Sequence, residues 1–356
     1  LLVERGGFNE VRVGETLAPS VQPLLAALGV WHRFLALNPL PSWGTRSRWG
    51  GTDPQEHSHL FSPYGCGWHI DRQKFDRMIA ETAAEAGATL CTDTRLLACE
   101  ARGATGWLLT LAEDHRQHSP AANRETSHAR SVTASVVVDA TGRPARLARR
   151  LGARREVIDR LIGLTAQFAA TSGNGECYTL VEAAPDGWWY SAPLGDGKLI
   201  TMLMTDSDLC RDQKLALDDA WSRQLGDAQL TAARIGCAQR MWGPRPFSAL
   251  SHRLVRDDSS TAWLAVGDAA LAVDPASGSG VVRALQSAHA GASAILDHLQ
   301  GSPTALREYE AQRDVEWKSY LEQRTRYYRM ESRWAASPFW RRRAVEGASK
   351  HYNEGV

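Results

Sequence analysis

Apolar positions along the chain recur at two spacings. Val21, Leu24, Leu25 and Leu28 fall on one helical face and predict a helix from Pro19 to Val30. A second helix is predicted from Arg72 to Ala86, with Asp71 as its cap, Phe75, Ile79, Ala83 and Ala86 as its buried stripe, and Gly87 as its stop. Short apolar runs predict strands at Gly67–Ile70, near 88–91, 94–100 and 106–112, at Ser135–Val138 and at Trp263–Val266. Tyr178–Val181, Trp188–Leu194 and Lys198–Met204 read as strands joined by Pro, Gly and Asp turns, the pattern of an antiparallel sheet. The polar segment Glu113–Arg130 reads as a hairpin tip or mobile loop. Asp218–Arg234 is predicted as a polar-faced helix, Val281–Leu299 as a long helix, and 303–345 as helical, charged and aromatic. Nucleotide-type and sheet-type pieces alternate, which predicts an α/β fold: a three-layer nucleotide domain with an inserted, mainly antiparallel-sheet domain. The expected boundaries are 1–30, 71–155 and 256–300 for the first, 31–70 and 156–255 for the second, and 301–356 for a C-terminal helical segment.

Composition narrows the partners. The 356 residues suffice for two domains or one large composite, and 43% hydrophobic with 23% charged residues is an ordinary globular mix. A formal net charge of +1 gives no case for nucleic acid. No apolar run approaches membrane-spanning length, and no secretory signal is visible. The six cysteines are scattered without a CxxC pair, which argues against a zinc site or a disulfide framework and fits reduced thiols in the cytoplasm.

The chemistry concentrates in AWLAVGDAALAVDPASGSG, residues 262–280. A buried strand ends at Gly267-Asp268, which sets a carboxylate at the strand's C-terminal edge, where open α/β sheets bind ligands. Gly278 and Gly280 let backbone approach a ligand, and the helix that follows offers free N–H groups. An acid for a polyol and a helix N-terminus for an electron-rich ring suit a flavin's ribityl chain and isoalloxazine. The chain opens on Leu1-Leu2-Val3-Glu4, which reads as a strand end closed by a ribose-binding acid or, more plainly, as an edge strand with a surface acid. No G-x-G-x-x-G turn precedes Glu4, so a first strand, phosphate loop and helix are expected to be missing from the chain.

Glu4, the GWHIDRQKFDRMI helix start, VVVDATGR and GDAALAVDPASGSG occur in one order. Together they resemble the FAD-dependent monooxygenase and halogenase superfamily, with the para-hydroxybenzoate hydroxylase-type fold, up to about residue 300. The resemblance implies an FAD/NAD(P)-binding nucleotide domain and a role for each matching residue. Glu4 would bind the adenosine ribose, and Arg12 and Arg72 would lie near the pyrophosphate or ribityl chain. Gly14 and Glu15 would lie close to the ring, and Thr141 and Gly142 would close over the adenine-ribose side. Asp268, following Gly267, would bond ribityl hydroxyls, and Pro275 with the backbone from Gly278 to Gly280 would flank the pyrimidine edge. Plainer readings stand beside these: surface arginines for Arg12 and Arg72, a helix cap for Glu15, a turn former for Pro275, and a structural brace for Asp139. His69 and His32 are candidate acid–base groups that are equally at home as structural histidines. Trp43, Trp49, Trp188, Trp189 and Tyr190 are candidates for an aromatic substrate cavity, against core packing of the sheet. No metal site is expected.

Within the superfamily, GWWYSAPL stands where tryptophan halogenases carry W-x-W-x-I-P, so the pattern is broken. The lysine those halogenases need before the substrate pocket has no counterpart, since Lys74 is the first lysine and falls in a helix. Asp139-Ala140-Thr141-Gly142 replaces the D-G motif of single-component hydroxylases, and no second nucleotide unit appears. The runs SWGTRSRWG, SPYGCGWHIDR and GWWYSAPL are similar to the LodB-like and QhpG-like flavoproteins paired with quinone-cofactor enzymes. The resemblance thus implies a monooxygenase that hydroxylates an aromatic substrate, including a Trp or Tyr side chain of a partner protein, by way of a flavin C4a-hydroperoxide. Its electrons would come from NAD(P)H directly or through a separate flavin reductase. The alternatives are a tryptophan-type halogenase, a flavin reductase of the geranylgeranyl-reductase kind, and a flavin-less binding protein.

Overall fold

The computed structural model describes residues 1–103, 106–113, 129–169, 177–256 and 262–344. Period-two alternation builds the largest sheet, whose seven strands run in the order Arg240–Ser248, Leu161–Ala169, Lys198–Asp206, Gly187–Leu194, Tyr178–Ala184, Gly44–Arg48 and Gln55–Ser58. The three strands expected as an antiparallel meander form its centre, with Trp188 opposite Met204 and Leu180 opposite Ser191. Gly44–Arg48 joins in parallel beside Tyr178–Glu182, a long-range pairing the local pattern does not announce.

Alternation sends neighbouring aromatic residues to opposite faces. Trp188 packs with Trp49, Tyr328, Phe339 and Trp340 under the C-terminal helices Ala305–Arg329 and Pro338–Ala344. Trp189 packs on the other face with Trp221 and Ile235. The helix expected over Asp218–Arg234 is two helices, Asp218–Asp227 and Gln229–Ile235. They break at Ala228 because buried Glu182 accepts the Leu230 and Thr231 amides at 3.1 and 2.9 Å and starts a new helix there.

The nucleotide-type portion contains two short parallel pairs, Leu2–Val3 with Leu90–Cys91 and Val137–Asp139 with Trp263–Ala265. The strand expected at Ser135–Val138 begins two residues later, and Val138 is exposed rather than buried because pairing with Trp263–Ala265 turns it outward. The first helix stops at Ala27, its expected face residue Leu28 is exposed, and Trp31–Ala36 forms a separate helix after Gly29 reverses the chain. Arg72–Glu85 starts at Asp71, whose carboxylate accepts the Gln73 and Lys74 amides. Its buried stripe is Phe75, Met78 and Ala80, rotated from the expected one, and Ala86 is exposed. Phe75 and Met78 meet Leu17, Val21 and Phe34 there, together with Val282 of the helix Gly280–Leu299. Trp107–Glu113 and Arg130–Ala134 pair antiparallel, but the expected hairpin tip, residues 114–128, lies outside the described residues. Among the described residues no helix is long and apolar enough to cross a membrane.

Candidate active site

The site begins where Trp263–Ala265 ends. Gly267 takes φ +56°, and a Cβ there would stand 3.3 Å from Ala284, so glycine lets the turn lie against the helix Gly280–Leu299 without strain. Ser287 on that helix accepts the Gly267 amide at 2.8 Å. The turn presents Asp268, which faces Arg143 with Nε 3.2 Å from Oδ2. The rest of the Arg143 guanidinium donates to the Leu250 carbonyl at 2.6 Å and the Val273 carbonyl at 2.9 Å. One side chain thus fixes both the acid and the chain leading into Asp274 and Pro275. Arg143 was not among the expected site residues, although its place in the DATGR run was a usable signal. Asp139 is the brace it was expected to be: it accepts the Thr141 amide at 2.8 Å and the Ala148 amide at 2.7 Å.

Past Asp274, Pro275–Ser277 makes a single helical turn before the helix Gly280–Leu299. Ser279 precedes that helix without capping it, because its hydroxyl bonds Ser277 Oγ at 2.9 Å instead. The first-turn amides therefore lack a side-chain acceptor and suit an external one. Space is open above Gly142, Gly278 and Gly280, where an added Cβ would meet nothing within 4 Å.

The opposite wall is the segment after the first strand. Glu4 pairs with Arg12 at 3.3 Å, Arg12 with Asp76 at 3.0 Å, and Arg72 with Asp76 at 3.1 Å. Arg12 and Arg72 are therefore anchored rather than free surface arginines, and Asp76, absent from the sequence-based set, joins them. Arg72 also donates to the Val13 carbonyl at 2.5 Å, crossing so near Gly14 that a Cβ there would lie 2.8 Å from Nη1. Glu15 is buried and accepts the Gly14 amide at 3.0 Å, so it is no helix cap. Burial raises its pKa to about 7 against the pull of backbone amides and Arg72. Thr16 follows, and its hydroxyl meets Tyr190 Oη at 2.7 Å, His69 Nδ1 at 3.1 Å and Thr179 Oγ1 at 3.2 Å. The two walls close on each other: Val281 and Val282 pack with Leu17 and Phe75, while Val13 and Ala276 both pack at the cluster that includes Tyr190.

The raised acid makes a signed prediction. Between the unfolded pKa of about 4.3 and the folded value of about 7, the unfolded chain has lost the proton and the native state keeps it, so stability falls as pH rises across that window. Glu15→Gln should remove that fall and leave the variant more stable than wild type at pH 8. Urea midpoints at pH 5 and pH 8 measure it; a slope identical in both proteins would refute the assignment.

Other expected residues fall differently. Burial, with Arg234 nearby, lowers the His69 pKa to about 3, so the ring stays neutral and serves as a partner for Thr16 rather than an acid–base group near neutral pH. His32 is exposed on the helix Trp31–Ala36. Trp49 and Trp188 are core residues whose indoles donate to the Tyr327 carbonyl and Tyr328 hydroxyl at 3.0 and 3.1 Å. Trp189 faces away from Tyr190 and cannot share a cavity with it. Trp43 is surface-exposed, and Tyr190 alone of the five candidates bonds to the wall at Thr16.

A sequence model of the tryptophan halogenase family matches residues 45–355. The chain belongs to that family. This tryptophan halogenase family member is 27% identical over 356 residues to LodB of Marinomonas mediterranea, provisionally described as an FAD-dependent oxidoreductase, with 99% of this chain and 91% of LodB covered. Its fold is similar to that of the flavin-dependent halogenase CmlS, with a TM-score of 0.82 at 23% identity over 96% of this chain and 62% of CmlS. It is also similar in fold to QhpG, a peptidyl tryptophan dihydroxylase, with a TM-score of 0.73 at 22% identity over 97% of this chain and 72% of QhpG. The family member is an FAD-dependent oxidoreductase with an α/β, Rossmann-like fold. Its residues fit that cofactor: an accessible acid at 268, uncapped amides beyond Gly278, and open space above both glycines.

Proposed function

We propose that this chain is an FAD-dependent monooxygenase that hydroxylates an aromatic ring, the side chain of a Trp or Tyr residue in a partner protein. The observation that carries the choice over halogenation is the make-up of the wall. Segments Val13–Leu17, Gly67–His69 and Tyr178–Tyr190 contain no lysine, and Lys74 is exposed on its helix. Hydroxylation needs no such amine, since an electron-rich ring requires only position and dryness. A partner-borne substrate is supported by an apolar surface beside this wall: Phe61 is 93% exposed and Leu60 79%, with Trp43 and Tyr64 close in sequence to the strands that carry Ser42 and Gly67. QhpG, a peptidyl tryptophan dihydroxylase of similar fold, supports the same reading.

Bound FAD, once reduced, supplies an activated oxygen atom from O2. Glu4 and Arg12 would hold the adenosine ribose and pyrophosphate side, with Thr141 and Gly142 nearby. Asp268, oriented by Arg143, would take the ribityl hydroxyls. The amides from Gly278 to Gly280, with Pro275, would face the ring, and Arg72 sets the Val13–Glu15 segment. Ring C–H, O2 and one NAD(P)H with a proton give ring C–OH, water and NAD(P)+. The hydride arrives directly or through a separate reductase, and we place the reaction in the cytoplasm, in keeping with six unpaired cysteines.

The test is the FAD-loaded protein with reductant, 18O2, bromide and an unmodified partner carrying Trp or Tyr. The expected product gains one 18O atom and no bromine; a brominated product would make the chain a halogenase instead. Leu60→Ser with Phe61→Ser should lower kcat/KM for the partner about tenfold, the loss of about 1.4 kcal/mol of apolar contact, with FAD affinity unchanged.

A further inference from the structure

The turn assigned to the flavin edge is anchored from the C-terminal helix. Asp274 is buried, and its Oδ1 accepts the Ala276 amide at 3.0 Å, which shapes the turn. Its Oδ2 accepts the Tyr328 hydroxyl at 2.7 Å and lies 3.7 Å from Arg324 Nε. Its backbone amide donates to Tyr320 Oη at 3.0 Å, and that hydroxyl shares a 2.7 Å hydrogen bond with Ser251 Oγ. Tyr320, Arg324 and Tyr328 are spaced four residues apart on Ala305–Arg329, so one helical stripe holds the turn by backbone and side chain together. Tyr328 also accepts the Trp188 indole N–H at 3.1 Å, which commits its own proton to Asp274. Burial and the Asp274 charge both disfavour loss of that proton. Trp188 lies two residues from Tyr190 on the same sheet face, and Tyr190 meets Thr16 at 2.7 Å on the facing wall.

We propose that Tyr328 is a positioning residue: through Asp274 and Trp188 it ties the turn bearing the flavin-facing amides to the substrate sheet, so that both sides of the site are set by one hydroxyl. The flavin end of this inference rests on the function proposed above; the mechanical link does not. The helix that reads from sequence as charged and aromatic is thereby part of the cofactor site's framework.

The test is Tyr328→Phe in the full chain, which keeps the ring among Trp49, Phe339 and Trp340 and removes only the hydroxyl. Amide hydrogen exchange should rise about tenfold at Ala276, Ser277 and Gly278, and the FAD Kd should rise about tenfold. Tyr320→Phe, which removes the backbone anchor, should loosen the same amides. Trp340→Phe is the control: it loses a 2.9 Å bond to the Ala184 carbonyl in the same cluster without touching Asp274, and should leave those amides within about twofold of wild type. Wild-type exchange at the turn in both Tyr variants, or equal loosening in the Trp340 variant, overturns the proposal. Failure of the wild-type protein to bind FAD would instead remove the cofactor reading, and the exchange comparison would still decide the link.

Discussion

Gly280→Val is expected to leave the apoprotein as stable as wild type and to raise the FAD Kd about 100-fold, some 3 kcal/mol at the upper end of overpacking costs. The two halves of this result separate because of where Gly280 stands. It is the exposed first residue of Gly280–Leu299, and a Cβ there meets nothing within 4 Å. Valine is a slightly better helix former than glycine, so folding loses nothing, and the change in unfolding free energy should stay within about 0.5 kcal/mol. The branched side chain would project beside the uncapped amides, into the space assigned to the isoalloxazine. Fluorescence titration of FAD, paired with a urea midpoint of the apoprotein, reads both quantities. Unchanged FAD affinity would put the ring elsewhere and dissolve the site assembled from Asp268, Arg143 and the 275–280 turn.

The second large effect is on stability. Asp206, at the end of Lys198–Asp206, receives the Arg343 guanidinium at 2.6 Å on Oδ1 and 3.2 Å on Oδ2, and Arg342 at 2.7 Å on Oδ2. Both Asp206 and Arg343 are 2% exposed. Asp206→Ala strands the Arg343 charge in the interior, with the Phe339 carbonyl at 3.0 Å as its remaining hydrogen-bond acceptor among those described. The expected loss is about 3–5 kcal/mol in unfolding free energy. Burial pushes the Asp206 carboxyl up, but Arg343 and Arg342 outweigh it and hold it below the ordinary carboxylate range. With the folded pKa depressed, the pair's contribution is present above the unfolded pKa of about 3.9 and fades as pH falls through the folded value. The gap between wild type and variant should therefore be constant from pH 5 to pH 8 and shrink only below about pH 4. Chemical denaturation across that range checks both magnitude and sign; a loss under about 1 kcal/mol would show that Pro338–Ala344 is held by packing alone.

Local periodicity made much of the secondary structure legible. The cap at Asp71, the strand ending just before Gly267, and the long helix opening at Gly280 all follow from residues within a few positions of one another. Breaks were harder to read where a distant residue makes them. Nothing near Ala228 signals a new helix; Glu182, far off in sequence, supplies the acceptor that starts it. The aromatic residues illustrate a different limit. Trp188, Trp189 and Tyr190 look alike as a run, yet the pleat divides them, and helices from two parts of the chain cover the two faces.

In the site, residue identity alone dictates which groups are available: an acid at a strand edge at Asp268, glycines ahead of a helix, and an arginine-bearing segment after Glu4. Those are local properties of backbone and side-chain type, and they hold wherever the segment folds. What holds them in place comes from the packing of distant segments. Arg143 holds Asp268, Asp76 reaches across to Arg12, and Tyr328 reaches Asp274, and each of these contacts joins elements whose distance along the chain carries no information about their distance in space. Burial then set the chemistry that composition leaves open, raising the Glu15 pKa to about 7 and lowering that of His69 to about 3, because the cost of a charge depends on the solvent each group loses on folding.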